Sequence, residues 1–406
     1  MHLSQTKTME GAVVKPLWSK VSLTGRLFAT TALILMQTAA FGCDGQTSDP
    51  AAAVSPDATF KPLGYMMLVD SSLVVVDMFG MKEVDRFKVG HHPVHQVAVM
   101  PDNRTVYTGN ADDNTIIKLE FSENGAKHTS KVVAKSPVNL HFLSTSPSGK
   151  HVVITSRAEL NELMKLPHSS GLPDDSIAIL DTETDTIIKV VALQSPAMPA
   201  FAVDGKYLYV NNVHHGSISV IETQGWTEIQ RLKLYGDNLA PTDTGRAHIA
   251  PDGLDVSPDG KWVVSADYEM RSMTVFAVGA DGKLGESRNV PYPQTNGMPH
   301  DIRFAPGSDV FWITDYDRLP DPGDEVGNAQ IVTHIREYDV VSLVEKRVMQ
   351  FPRAVGRVSL PLYSKLAYLT TNIGGLLAVD RASGELQGEL VVGGLGLPVI
   401  CGMVSY

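Results

Sequence analysis

The stretch "MPHDIRFAPGSDVFWITDYD", Met298 to Asp317, decides the fold, because it is one turn of a repeat. It reads as a short strand, a tight turn around Pro306, a second strand carrying Trp312 and then a loop. The same phrase recurs as "VHQVAVMPDNRTVYTGN" from Val94, "NLHFLSTSPSGKHVVITS" from Asn139, "PAMPAFAVDGKYLYVNN" from Pro196 and "PDGLDVSPDGKWVVSAD" from Pro251. A looser copy, "AVGRVSLPLYSKLAYLTTN", begins at Ala354. The turn prolines Pro101, Pro147, Pro258 and Pro306 are 46, 111 and 48 residues apart, and the middle interval holds two repeats, with "VDGK" at Val203 as its second turn. A period of 40 to 50 residues with about four short strands in each is the pattern of a β-propeller.

Working outward, "YMMLVDSSLVVVDMFGMKEVDRFKV" from Tyr65 supplies the outer strands of a blade without an inner one. "GLGLPVICGMVSY" at the other end begins an inner strand and stops. Six internal repeats and one blade shared by the two ends give an all-β, seven-bladed propeller whose ring is closed by its terminal strands, over residues 63–406. Such closure removes free sheet edges. Helical amphipathicity shows only in "RAELNELMKL" from Arg157, inside an insertion.

Residues 1–42 read as an export signal. Lys15, Lys20 and Arg26 precede an apolar run from Leu27 to Met36, and small residues lead to Cys43; the run is too short for a spanning helix. Gly42-Cys43 resembles a lipobox, so a lipid on Cys43 is an expected membrane tether, with ordinary signal-peptidase cleavage as the alternative. Residues 43–62 are small, polar and Pro-rich, a flexible linker. Removing residues 1–42 takes four basic and one acidic residue from totals of 34 and 45, leaving a formal charge of −14. That balance argues against nucleic acid and anionic membrane surfaces as partners. With only Cys43 and Cys401 present, a disulfide framework is excluded, and without CxxCH so is covalent c-type haem.

Counting back six residues from each turn reaches the entry of each inner strand, where propeller blades converge on the axis. The residues there are His95, His141, Ala197, Asp252 and His300. Three imidazoles and a carboxylate on one ring are a plausible metal-ligand set. Loops between second and third strands open on the same face, and they bring His214 and His215 as further ligands. His91, His92 and His248 reach that face from inter-blade loops and are candidates for binding a cofactor. The insertions 157–175 and 317–329 also fall there, as lids over a working rim. Each histidine alone is as readily a packing residue; the case rests on eight of the twelve remaining histidines sharing one face. Asp267, Asp315 and Asp317 end second strands beside them and are read as imidazole-orienting partners or loop caps. His128, His151, His168 and His334 are read as ordinary surface or packing residues.

The phrases "SPDGKWVV" from Ser257 and "IAILDTETDTIIKVV" from Ile177 resemble the YVTN-type and cytochrome-d1-like propeller superfamily over nearly the whole chain from Gly64. "TVFAVGADGKLGESRNVPY" and "GMPHDIRFAPGSDVFW" are similar to lactonase-type propellers. "HHPVH" and "PHDIRF" resemble the histidine-lined face of the nitrous oxide reductase propeller and, less closely, the methanethiol oxidase family. These resemblances imply copper as the expected metal, then zinc, with a noncovalently held haem as a further possibility. The functions to weigh are an exported propeller binding a metal or metallocofactor, a lactonase-like hydrolase, and a non-enzymatic scaffold binding a protein or peptide. No GxSxG motif supports a serine nucleophile.

Overall fold

A computed structural model describes residues 61–68, 70–91, 94, 96–156, 175–213, 215–234, 251–268, 270–293, 297–317, 334–353, 355–371, 374–392 and 403–404. For residues 297, 298, 316, 317, 403 and 404 this extends to the backbone alone. Among them are seven four-stranded antiparallel sheets and no helix, the seven blades of a propeller. The possible helix at Arg157 lies outside the described residues.

Blade one combines Met403–Val404 with Leu63–Met67, Ser72–Asp77 and Lys82–Lys88, so one sheet holds the first and last strands. Tyr65 pairs with Val404 and Met66 with Met403. Blade two runs Ala98–Val99, Thr105–Asn110, Thr115–Phe121 and His128–Lys135. The first two strands of the remaining blades are Phe142–Thr145 and His151–Thr155, Pro196–Phe201 and Tyr207–Asn212, Pro251–Val256 and Trp262–Asp267, Gly297–Phe304 and Val310–Asp317, and Val355–Ser359 and Leu366–Thr371. The expected repeat boundaries each hold one blade.

The turn between first and second strands works because a residue one or two places beyond the proline position takes a left-handed backbone. Gly149, Gly205, Gly260 and Gly307 do so at φ of 64 to 72°, where glycine has no Cβ to clash, and Asn103 does so at 54°. Asn103 is chosen over glycine because its side chain is used. Its amide accepts from Leu63 N at 2.7 Å and donates to Leu63 O at 2.9 Å, stitching blade two to blade one.

The core is a set of apolar layers between blades rather than one centre. Val97, Val106, Leu143 and Ile154 pack in a layer shared by blades one to three. Met66, Val76, Tyr368 and Leu376 join blade seven to blade one. Across these layers the third residue of the second strand recurrently sends a tyrosine hydroxyl to the outer turn of the next blade. Tyr107 donates to Asp185 at 2.7 Å, Tyr209 to Gly282 O at 3.0 Å and Tyr368 to Met78 O at 3.3 Å. Burial pushes all three hydroxyls above the usual tyrosine range, so they stay protonated donors.

Candidate functional site

The entry of the inner strand is irregular in a repeated way. In blades four to seven the pairing with the second strand slips between Pro196 and Pro199, Pro251 and Gly253, Pro299 and Ile302, and Val355 and Val358. Each slip is a β-bulge, which leaves an extra residue at the axis and re-aims its neighbours. The bulged backbone N–H groups are not stranded. Thr314 Oγ1 accepts from Asp301 N at 3.0 Å and Thr370 Oγ1 from Arg357 N at 2.9 Å. A proline opens three of the four bulges, Pro196, Pro251 and Pro299, where a missing N–H costs nothing in the ladder.

The bulges bring Asp252 of blade five against His300 of blade six. Asp252 Oδ2 lies 3.1 Å from His300 Nε2, with only 8% and 11% of the two side chains exposed. Gly253 makes the approach possible, since a Cβ there would fall inside the van der Waals envelope of the His300 carbonyl oxygen. The contact fixes the imidazole: Nε2–H donates to the carboxylate, which places the lone pair on Nδ1. A ring held this way is better oriented than a free one.

His141 is buried at the equivalent place in blade three, its N–H donating to Thr155 O at 3.0 Å. It does not join the pair as a third ligand, because no group of three or more His, Cys, Asp or Glu among the described residues is placed to hold a metal ion. The expected set also counts His95 and His214, which lie outside the described residues, while Asp252 is placed against the His300 imidazole. His91 is exposed, with its N–H donating to Asp112 at 2.8 Å, and His215 is exposed in its loop. His92, His95, His214 and His248 lie outside the described residues, as do the lids 157–174 and 318–333 and residues 1–60. Asp315 is tied to the Tyr292 hydroxyl and to Arg336 Nε at 3.3 Å rather than to an imidazole. Burial, opposed by Arg336, pushes its carboxyl up to about 6. Asp267 Oδ1 accepts from Met270 N at 3.0 Å, the behaviour of a loop cap.

Sequence reading missed the layer beneath the pair. Asp301, one residue beyond His300, is fully buried; it sits 3.3 Å from Arg357 of blade seven and 3.3 Å from Arg303, and accepts from Val358 N at 2.9 Å. The Arg357 guanidinium lies over the ring of Phe142, 5.5 Å away, on the blade-three side of the axis. Residues lining an open pore would be wetted, yet Asp301, Arg357 and Phe142 are at most 3% exposed. They form a buried bar of charge and aromatic ring that ties blades six, seven and three together. The clue was available in "PHDIRF" and "AVGRVS", where Asp301 and Arg357 each follow the counted entry position.

A family model described as Lactonase, 7-bladed beta-propeller matches residues 180–317, a span containing both Asp252 and His300. Hydrazine synthase subunit beta of Kuenenia stuttgartiensis is 33% identical over 237 residues, 52% of this chain and 60% of that protein. The chain thus spans about 60% of the length of that curated relative. In fold it is similar to a 6-phosphogluconolactonase-like propeller from Bacteroides fragilis, with a TM-score of 0.60 and 14% identity over 86% of this chain and 99% of the other. It is also similar to the dihydro-haem d1 dehydrogenase NirN, with a TM-score of 0.53 and 14% identity over 82% and 64%. The chain is a seven-bladed propeller, similar in sequence to lactonase-type propellers over residues 180–317 and to hydrazine synthase subunit beta over about half its length, and similar to NirN in fold.

Proposed function

We propose that this chain is an exported propeller that holds a metallocofactor at the entry face, with His300 as a ligand through Nδ1 and Asp252 orienting the ring. The carrying observation is the 3.1 Å contact between Asp252 Oδ2 and His300 Nε2. One well-aimed imidazole suits a group that brings its own equatorial donors, such as a noncovalently held tetrapyrrole. A bare copper or zinc ion needs three protein ligands that the described residues do not gather, so the copper reading turns on His95, His214 and His248. A bound group would supply electron transfer or Lewis acidity. The chain's own part is to hold the imidazole, keep its proton on Nε2 and exclude water at the buried carboxylate. Export, with a lipid on Cys43 as tether, is part of the same reading.

A second reading has an observation of its own, the lactonase match across both residues. Here the pair is a general base, with Asp252 holding His300 while Nδ1 takes a proton from water attacking a lactone. One experiment separates the two. Full-length protein is isolated from its native compartment and assayed for metals, visible absorption and lactone turnover, beside His300→Gln. Gln preserves a donor to Asp252 but cannot replace the imidazole. The first reading expects about one metal per chain in the wild type and none in the variant. It is overturned if the wild type carries neither metal nor chromophore, or if the variant retains both. Turnover by metal-stripped wild type, lost in the variant, establishes the hydrolase.

A further inference from the structure

Beyond the bar of Asp301, Arg357 and Phe142, on the side of the Pro147 turn, the axis widens into a cavity of about 350 Å³. Its wall is contributed by the inner-strand segments of six blades, from Gln96 in blade two to Leu360 in blade seven. The size lies at the small end of ligand pockets. Three features of the wall belong to a binding site rather than to packing.

First, Arg303 stands in the wall with its binding capacity divided. Nη1 is spent on Ile302 O at 2.6 Å, on Asp301 and on the sulfur of Met198. Nε and Nη2 have no partner among the described residues, and that edge of the guanidinium is the fork that fits a carboxylate. Second, Gln96 Oε1 and Thr145 Oγ1 are buried in residues only 8% and 7% exposed, and neither has a hydrogen-bond partner among the described residues. A buried amide oxygen left unpaired is costly and can be satisfied only by a donor. Third, Asp255 shares the wall, its Oδ2 held by Phe304 N at 2.7 Å. With Asp301 and Asp255 both near the guanidinium, a dianionic ligand is disfavoured.

We propose that this end of the channel is a second binding site, for a small monocarboxylate that carries its own hydrogen-bond donor. The ligand's carboxylate takes the open edge of Arg303, and its hydroxyl or ammonium donates to Gln96 Oε1 with Thr145 completing the set. Neither Asp252 nor His300 lines this cavity, so the inference does not depend on the metallocofactor reading.

The test is calorimetric titration of the full-length protein with lactate, alanine and propionate. These probes share a carboxylate and differ in the group beside it. Lactate or alanine should bind saturably, and propionate about ten-fold more weakly or worse, because it leaves Gln96 unpaired. Preference for lactate identifies a hydroxyl donor and preference for alanine an ammonium. Thr145→Val, nearly isosteric, should narrow the gap between the preferred probe and propionate, and Arg303→Gln should abolish binding of all three. Should Arg303→Gln fail to fold, Thr145→Val still decides. Equal binding of all three probes, an unchanged gap in Thr145→Val, or no saturable heat overturns the proposal and leaves a water-filled cavity.

Discussion

Two histidine–aspartate contacts cross from one blade to the next, one at the rim and one near the axis. At the rim, His128 Nδ1 lies 2.5 Å from Asp85 Oδ2, joining the outermost strands of blades one and two. The imidazole sits against the rings of Phe87 and Phe121, with centroids 5.0 and 5.4 Å away. Near the axis, Asp252 and His300 are 3.1 Å apart, each on a bulged strand, with Gly253 pressed against the histidine backbone. The residue types are the same but the surroundings differ. The rim pair is clamped on both sides by aromatic rings, and it works as a strut. The axial pair is set by irregular backbone, with both partners on bulged strands at the entry of the inner strand. Chemistry is therefore assigned from the backbone that delivers the side chain, not from the pair itself. His128, read from sequence as an ordinary surface or packing residue, packs against Phe87 and Phe121 and pairs with Asp85.

That contrast can be broken most severely at Gly253. Gly253→Ala puts a methyl group into the His300 carbonyl, backbone that cannot swing aside, with Ala266 Cβ 3.3 Å away, and should cost about 4 kcal/mol or more by thermal unfolding. Gly225→Ala, in an outer turn whose nearest atoms would be 3.4 Å away, should change stability by under about 1 kcal/mol. Comparable losses in both would remove the special standing of the axial backbone.

Any pH titration of the two pairs rides on a background set by Asp315. Its carboxyl titrates in the fold at about 6, raised by burial above the ordinary value of 3.8, so the folded state binds the extra proton between those values. The resulting stability is complete below pH ~4 and is lost as pH rises through about 6, up to about 3 kcal/mol in all. The advantage of wild type over Asp315→Asn in melting temperature should shrink across that window. An advantage that grows instead would show an ionised carboxylate held by Arg336.

Next in size is the rim pair. His128→Ala removes both the contact to Asp85 and the aromatic packing and should cost about 2 kcal/mol, with bound metal or chromophore unchanged. The smallest effect belongs to the axial pair. His300→Gln should cost under about 1 kcal/mol because a donor to Asp252 remains, while any bound group is lost. Stability loss without binding loss at His300, or the reverse at His128, would exchange the two roles.

What could be read in advance follows how local each feature is. Blade boundaries were legible because the turn residues and the two-residue alternation are local, and every counted repeat became a sheet. The meeting of Asp252 and His300 was legible too, because equivalent places in adjacent blades adjoin and a fixed count from the turn finds them. The bulges were not, since a slip between Pro299 and Ile302 depends on Thr314 standing opposite to accept the released N–H. Nor was the contact of Arg357 with Asp301 and Phe142, which links strands more than 50 residues apart in sequence. The partner of His128 was not legible for the same reason, as Asp85 lies 43 residues away.

The buried contacts of Arg357 reach Asp301 of blade six and the ring of Phe142 in blade three. A change of charge at that one arginine would therefore be felt by three blades at once, not by its own alone.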